Sequence, residues 1–167
     1  MEESEPATRL ECWSALRLHL WRRCVAFLQG GIGWYSKSFP TTISANQKCY
    51  IVFDGVYNNS EYWINGKKLG YHLSGYAPFY FDVTDYLNPN EDNRMTVRVD
   101  HSHYADSRWY TGSGIYRDVK MIVTDRLHIP VWGTFVTTPV VTDKYAKVNN
   151  QITVRNSYSE PEQLLLR

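Results

Sequence analysis

The sequence predicts an all-β chain built as an antiparallel β-sandwich or barrel. Aromatic residues make up 15% of the 167 positions, with 13 Tyr, 6 Trp and 6 Phe, and such rings favour strands. Short strand-like segments alternate with turn residues from Gly33 to the end, with little helical periodicity among them. Within RMTVRVD, Met95, Val97 and Val99 fall on one side while Arg94, Thr96, Arg98 and Asp100 fall on the other, the period of a half-buried strand. Many short strands with so little helix define a sandwich or barrel, and this length holds one domain, or one domain plus a piece of a second.

Residues 1–29 differ in texture from the rest of the chain: they lack glycine and carry a rough helical spacing in Leu16, Leu20, Cys24 and Phe27. This divergent segment is expected to be helical or disordered. Predicted strands then succeed one another in GWYSKSF, KCYIVFDG, VYNNSEYWI, KKLGYH, PFYFDVT, RMTVRVDHS, IYRDVKMIV and WGTFVTTPV. Asn65-Gly66 accepts the positive φ angles of a type I′ turn and predicts a hairpin joining YWI to KKLGYH. Thr84–Leu87 predicts a single helical turn ahead of Asn88-Pro89. A domain boundary is expected near Pro139, giving one domain over 30–140. The polar stretch Asp143–Lys147 and the new strand VNNQITVRNS then place 141–167 in the beginning of another domain, since a lone strand pair is not independently stable.

Lys+Arg number 18 against 17 Asp+Glu, a net charge of +1, so the basic surplus of a nucleic-acid binder is missing. Cys12, Cys24 and Cys49 form an odd set without CxxC spacing, predicting neither a structural disulfide nor a zinc site. In the most apolar stretch, Cys12–Gln29, four basic residues interrupt the sequence well short of the roughly 20 apolar residues of a membrane span. The acidic start Met1–Glu5 is unlike the basic opening of a signal peptide. No cofactor, nucleic acid or membrane is expected as a partner, and the cellular location is left open.

In order, GGIGWYSKSF, FDGVYNNSEYWINGKKLGYHLSGYAPFYFDVTDYL, VRVDHS and SRWYTGSGIYRDV closely resemble the N-terminal sugar-binding domain of glycoside hydrolase family two, nearest in wording to bacterial β-galactosidases. The resemblance spans about Gly30–Val140. It implies a jelly-roll, galactose-binding-like sandwich, and it likens the tail from Lys147 to the first strands of the immunoglobulin-like domain that comes next in the family. Family members cleave O-glycosyl bonds with retention, using two carboxyl groups about 5–5.5 Å apart on a downstream (β/α)₈ barrel. The resemblance therefore implies a chain without catalytic residues of its own, a fragment whose partners are a β-galactoside-like carbohydrate and the immunoglobulin-like and barrel domains. The family also holds β-glucuronidases and β-mannosidases. A segment of Leu-Pro-His-Asp-Trp character expected upstream of GWY is missing from residues 1–28.

The resemblance places SRWYTGSGIYR where the sandwich approaches the active site. Arg108, Trp109, Tyr110 and Arg117 are the candidate substrate-binding or domain-seam residues, because arginine can bond sugar hydroxyls and tryptophan can stack on a pyranose face. Packing at a seam weighs above direct sugar contact. Where some members place an aspartate in this loop, the chain has Arg108.

Among other candidates, Glu61, Asp82, Asp85, Asp100 and Asp106 show no acid/base arrangement, and turn capping suits Asp82 and Asp85 better. His101 and His103 are read as surface residues at a strand end. Trp63, Phe79 and Phe81 are read as core, with a sugar-stacking platform including Tyr76 as the alternative. The leading expectation is the non-catalytic sugar-binding and scaffold portion of a β-galactosidase-like enzyme. A stand-alone carbohydrate-binding module is the alternative.

Overall fold

The computed structural model describes residues 8–9, 14–16, 31–102 and 112–164. In chain order, the strands are β1 (Thr8–Arg9), β2 (Ser14–Leu16), β3 (Ile32–Thr41), β4 (Gln47–Phe53), β5 (Val56–Tyr57), β6 (Ser60–Ile64), β7 (Lys67–His72) and β8 (Phe79–Asp82). After a 3₁₀ turn at Thr84–Tyr86 come β9 (Glu91–Asp100), β10 (Gly114–Ile115), β11 (Val119–Asp125), β12 (Leu127–His128), β13 (Thr134–Val141), β14 (Ala146–Ile152) and β15 (Arg155–Asn156).

Two compact units divide at Val123/Thr124. In the first, a five-stranded sheet runs β2-β3-β9-β6-β7 and a four-stranded sheet runs β1-β11-β4-β8, with β5 and β10 forming a short separate ladder. β3 pairs with β9 along its whole length, from Ile32↔Asp100 to Thr41↔Glu91. Between the two sheets lies one apolar core, drawn from Cys49, Ile51 and Phe53 of β4, Tyr62 and Ile64 of β6, Phe79 of β8, and Met95, Val97 and Val99 of β9. The Phe53 ring lies 4.8 Å from Tyr62 and 5.1 Å from Phe79, so the aromatic surplus seen in the sequence joins sheet to sheet. The all-β antiparallel sandwich is the architecture the sequence predicts.

The alternation read in RMTVRVD is the observed one: Met95, Val97 and Val99 are at most 2% exposed. The Asn65-Gly66 hairpin also forms, Ile64 pairing with Lys67 across φ angles of 49° and 79°, the left-handed pair that a two-residue turn needs. Behind it, the fully buried Asn93 amide acts as a hub. Its Oδ1 accepts from Asn65 Nδ2 (2.7 Å) and the Asn88 amide (2.7 Å), while its Nδ2 donates to the carbonyls of Asn88 (3.0 Å) and Glu91 (3.1 Å).

Several expectations change. Thr8–Arg9 pairs with β11 and Ser14–Leu16 with β3, so these parts of the segment expected to be helical or disordered are strands; a sheet edge offers free ladder groups that outweigh weak helical spacing. The remainder of 1–29 lies outside the described residues. VYNNSEYWI breaks into β5 and β6 at Asn59, which has φ 43°, and IYRDVKMIV breaks into β10 and β11. Pro139 interrupts strand pairing without ending it: β13 runs through to Val141, with a register shift between Thr137 and Val140 where it pairs with β14. Lacking an N–H, proline leaves a bulge there.

The second unit contains the β13–β14 hairpin and the small β12–β15 ladder. Most of the hairpin is exposed, with Phe135 65%, Val141 71% and Val148 62% accessible.

Candidate functional site

At one end of the sandwich, four segments meet around Tyr57, among them the described part, Gly112–Arg117, of the stretch that carries the predicted site. Val56 and Tyr57 pair with Ile115 and Gly114. Tyr57 is 6% exposed and meets Tyr76 edge-on at 5.4 Å and His101 edge-on at 4.8 Å, the geometry aromatic rings prefer. His101 Nδ1 lies 2.7 Å from Ser113 Oγ, linking the end of β9 to the start of β10. The Tyr116 hydroxyl donates to the Gly75 carbonyl at 2.8 Å.

Two glycines make this packing possible. A Cβ at Gly75 would run into the Tyr57 ring, and one at Gly114, whose φ is +86°, would meet the Tyr35 hydroxyl. Only glycine serves such a close approach and such a backbone.

Of the predicted site residues, Arg117 falls among the described residues; Arg108, Trp109 and Tyr110 lie outside them. Arg117 stands 5.1 Å above the Tyr116 ring in a cation–π arrangement and its Nη1 is 3.5 Å from the Asp54 carbonyl. Asp54 in turn pairs with Lys120 at 2.5 Å, and its amide donates to the Asp118 carbonyl at 3.0 Å. Arg117 thus braces the rim of the sandwich. Tyr57, Gly75, His101, Ser113 and Tyr116 complete this rim, and sequence reasoning does not single them out as a group, because they come from four separate segments. His101, read as a surface residue, is 9% exposed; the ring of Tyr57 and the hydroxyl of Ser113 enclose it. His103 lies outside the described residues.

A second group of side chains sits on the outer face of the five-stranded sheet. Trp63, expected in the core, faces outward and stacks on Trp34, with centroids 5.5 Å apart and planes inclined by 28°. Its neighbours Tyr62 and Ile64 are fully buried instead. Period-two alternation holds, but its phase is set by Tyr62, whose hydroxyl finds Ser60 Oγ at 2.6 Å inside the core. Phe79 is buried and Phe81 packs partly buried against the core, as expected, whereas Tyr76 is 49% exposed. Lys68 Nζ lies 5.6 Å over the Trp63 ring and bonds Glu61 at 2.6 Å.

The carboxylates follow their surroundings. Hydrogen bonding from Lys68 leads the effects that hold Glu61 below its ordinary pKa, and hydrogen bonding from Ser102 leads those that lower Asp100. Asp82 is partly buried, which raises it, but hydrogen bonds from the Thr84 hydroxyl and amide and the charge of Lys48 outweigh burial and leave it lowered. Its Oδ1 accepts from Thr84 N at 3.0 Å and from Thr84 Oγ1 at 2.5 Å, the turn capping read from sequence. These are ionised structural acceptors, unlike a glycosidase acid, whose pKa must be raised. Among the described residues, no group of three or more His, Cys, Asp or Glu is placed to hold a metal, and no helix is long and apolar enough to cross a membrane.

Two antiparallel sheets closed on an aromatic core, with rim segments gathered at one end, define a sandwich of the jelly-roll class. Residues 26–125 match the family described as glycosyl hydrolases family 2, sugar binding domain, and the chain belongs to that family. It is 46% identical over 130 residues to the β-galactosidase BoGH2A of Bacteroides ovatus, covering 77% of this chain and 15% of that protein. It is 38% identical over 130 residues to a putative β-glucuronidase of Formosa agariphila, covering 77% of this chain and 12% of that protein. A crystal structure of a glycosyl hydrolase family 2 member from Bacteroides cellulosilyticus superposes with a TM-score of 0.73 at 41% identity, covering 79% of this chain and 18% of that one. The chain spans less than a fifth of the length of each of these relatives.

Proposed function

We propose that this chain is the non-catalytic, sugar-binding and scaffolding portion of a β-galactosidase-type glycoside hydrolase. The carrying observation is the match across residues 26–125, together with 46% identity to a β-galactosidase. In this reading, the hydrolysis of O-glycosyl bonds belongs to a barrel outside these residues. The rim around Tyr57 supports the approach of SRWYTGSGIYR to that barrel, with Arg117 bracing the seam and Arg108, Trp109 and Tyr110 at the edge of the substrate pocket. Residues 141–167 begin an immunoglobulin-like domain in this reading, within the compact unit that starts at Thr124, and the exposed apolar residues of the β13–β14 hairpin support a further layer packing there. The carboxylates Glu61, Asp82 and Asp100 are taken up by salt bridges and turn caps, which supports a role without catalysis.

The test is turnover of an aryl β-galactoside by the purified chain. The expected result is no hydrolysis above the uncatalysed rate. Turnover that persists through repeated purification would show that these residues carry catalytic groups, and the reading would fall.

A further inference from the structure

We propose that the groove on the outer face of the five-stranded sheet, lined by Glu61, Lys68, Tyr71, Arg98 and Asp100, binds a single neutral pyranose. The proposal rests on the sugar-binding reading above and assigns such binding to side chains on the outer face of the five-stranded sheet.

Strand register builds the groove. Glu61 lies opposite both Tyr71 on β7 and Arg98 on β9, and Arg98 lies opposite Trp34 on β3. One rung across four strands thus reads aromatic, cation, anion, aromatic. All four project outward because Tyr62, Val97 and Val99 take the inward positions.

The polar groups are already fixed. Glu61 Oε1 accepts from Arg98 Nη1 at 3.0 Å and Glu61 Oε2 from Lys68 Nζ at 2.6 Å, while Arg98 Nη2 donates to Asp100 Oδ2 at 2.8 Å. Asp100 Oδ1 is held by the Ser102 amide at 3.1 Å and hydroxyl at 2.6 Å. A guanidinium has five N–H donors and each carboxylate about four acceptor positions, so the network keeps both donors and acceptors for a ligand. A sugar hydroxyl uses both kinds at once, and groups locked before binding lose little freedom on binding.

Charge selects among sugars. Lys68 and Arg98 balance Glu61 and Asp100, so the groove offers a uronate no net attraction. Tyr71, 68% exposed, and Leu73, 63% exposed, supply an apolar wall against which the C–H face of a pyranose can lie. The groove, open to solvent along one side, offers about 250 Å³, below the roughly 300–1,000 Å³ of pockets for drug-sized ligands. One ring fits that space better than a protein segment does.

The experiment is a titration of the ¹⁵N-labelled full chain with methyl β-galactoside and, separately, with methyl β-glucuronide, followed by Tyr71→Ala and Trp109→Ala. The expected result is saturable shifts of the amides of Glu61, Tyr71 and Arg98 with the galactoside, at least as strong as with the glucuronide. Tyr71→Ala should weaken binding about tenfold; because Tyr71 is an exposed side chain, the unaltered core amide shifts of that variant check its fold. If the galactoside instead shifts residues 112–117, and Trp109→Ala abolishes binding while Tyr71→Ala leaves it, the groove proposal fails and the sugar-binding reading survives. Tighter binding of the glucuronide overturns the neutral-ligand assignment. An absence of shifts with either sugar sinks both the groove and the binding reading.

Discussion

The β6–β9 region of the sandwich and the β13–β14 hairpin have much the same sequence texture: β-branched and aromatic residues alternate with polar ones. Their environments are opposite. Tyr62, Ile64, Met95 and Val97 are 0% exposed, whereas Phe135, Val136 and Val148 are more than half exposed. Alternation records a strand's capacity to bury one face, and only a facing layer turns that capacity into stability. In the first unit the four-stranded sheet supplies that layer. Among the described residues of the second unit, the β12–β15 ladder is two residues long on each side and offers little cover of its own.

Matched truncations give the widest expected separation. Tyr62→Ala removes a buried ring in contact with Phe53, Phe79 and Phe81 and should cost about 3–5 kcal/mol. Phe135→Ala should change stability by no more than about 0.5 kcal/mol. Urea unfolding followed by the far-ultraviolet signal of the sheets checks the pair; equal losses would mean that the hairpin is covered in solution.

A smaller effect isolates polar organisation from apolar burial. Asn93→Ala removes the hub that holds Asn65, Asn88 and Glu91, leaving buried groups without partners at a cost of roughly 1–3 kcal/mol. Hydrogen exchange should show the loss concentrated at the Asn65-Gly66 turn, with the hairpin of the second unit unaffected.

The smallest effect is a pH dependence confined to the first unit. His72 stacks on Phe79 at 3.9 Å, and burial lowers its pKa against an opposing hydrogen bond with Ala77. The folded state thus prefers neutral His72. Its contribution is fully present above the unfolded value of about 6.5 and is lost as pH falls through the lowered folded value. The urea midpoint should fall slightly over that window before the carboxylates titrate, and His72→Phe should flatten this part of the profile.

Much of the sandwich is legible in the sequence because local rules and packing agree there. Asn65-Gly66 makes its turn, RMTVRVD buries the face it advertises, and Asp82 caps Thr84. Trp63 departs from its expected place in the core because alternation gives a period without a phase. Both Tyr62 and Trp63 are large and aromatic, and only the facing sheet decides which is enclosed. The rim is illegible for a different reason: Tyr57, Gly75, His101 and Ser113 are joined by long-range contacts, and their spacing along the chain carries no signature. Arg117 is legible as part of a motif, whereas its brace on Tyr116 and Asp54 is not.

The close fit of Gly75 against Tyr57 also bears on how this end of the domain can be redesigned. A methyl group at position 75 would occupy space now taken by the Tyr57 ring, so each position fixes the size allowed at the other. A library randomised at position 75 alone will return glycine, whereas one randomised at both can admit alanine with a smaller partner. That exchange would withdraw the ring on which Tyr76 and His101 rest, making the pair a single handle for widening the mouth of the sandwich while Phe53 and Tyr62 keep its interior.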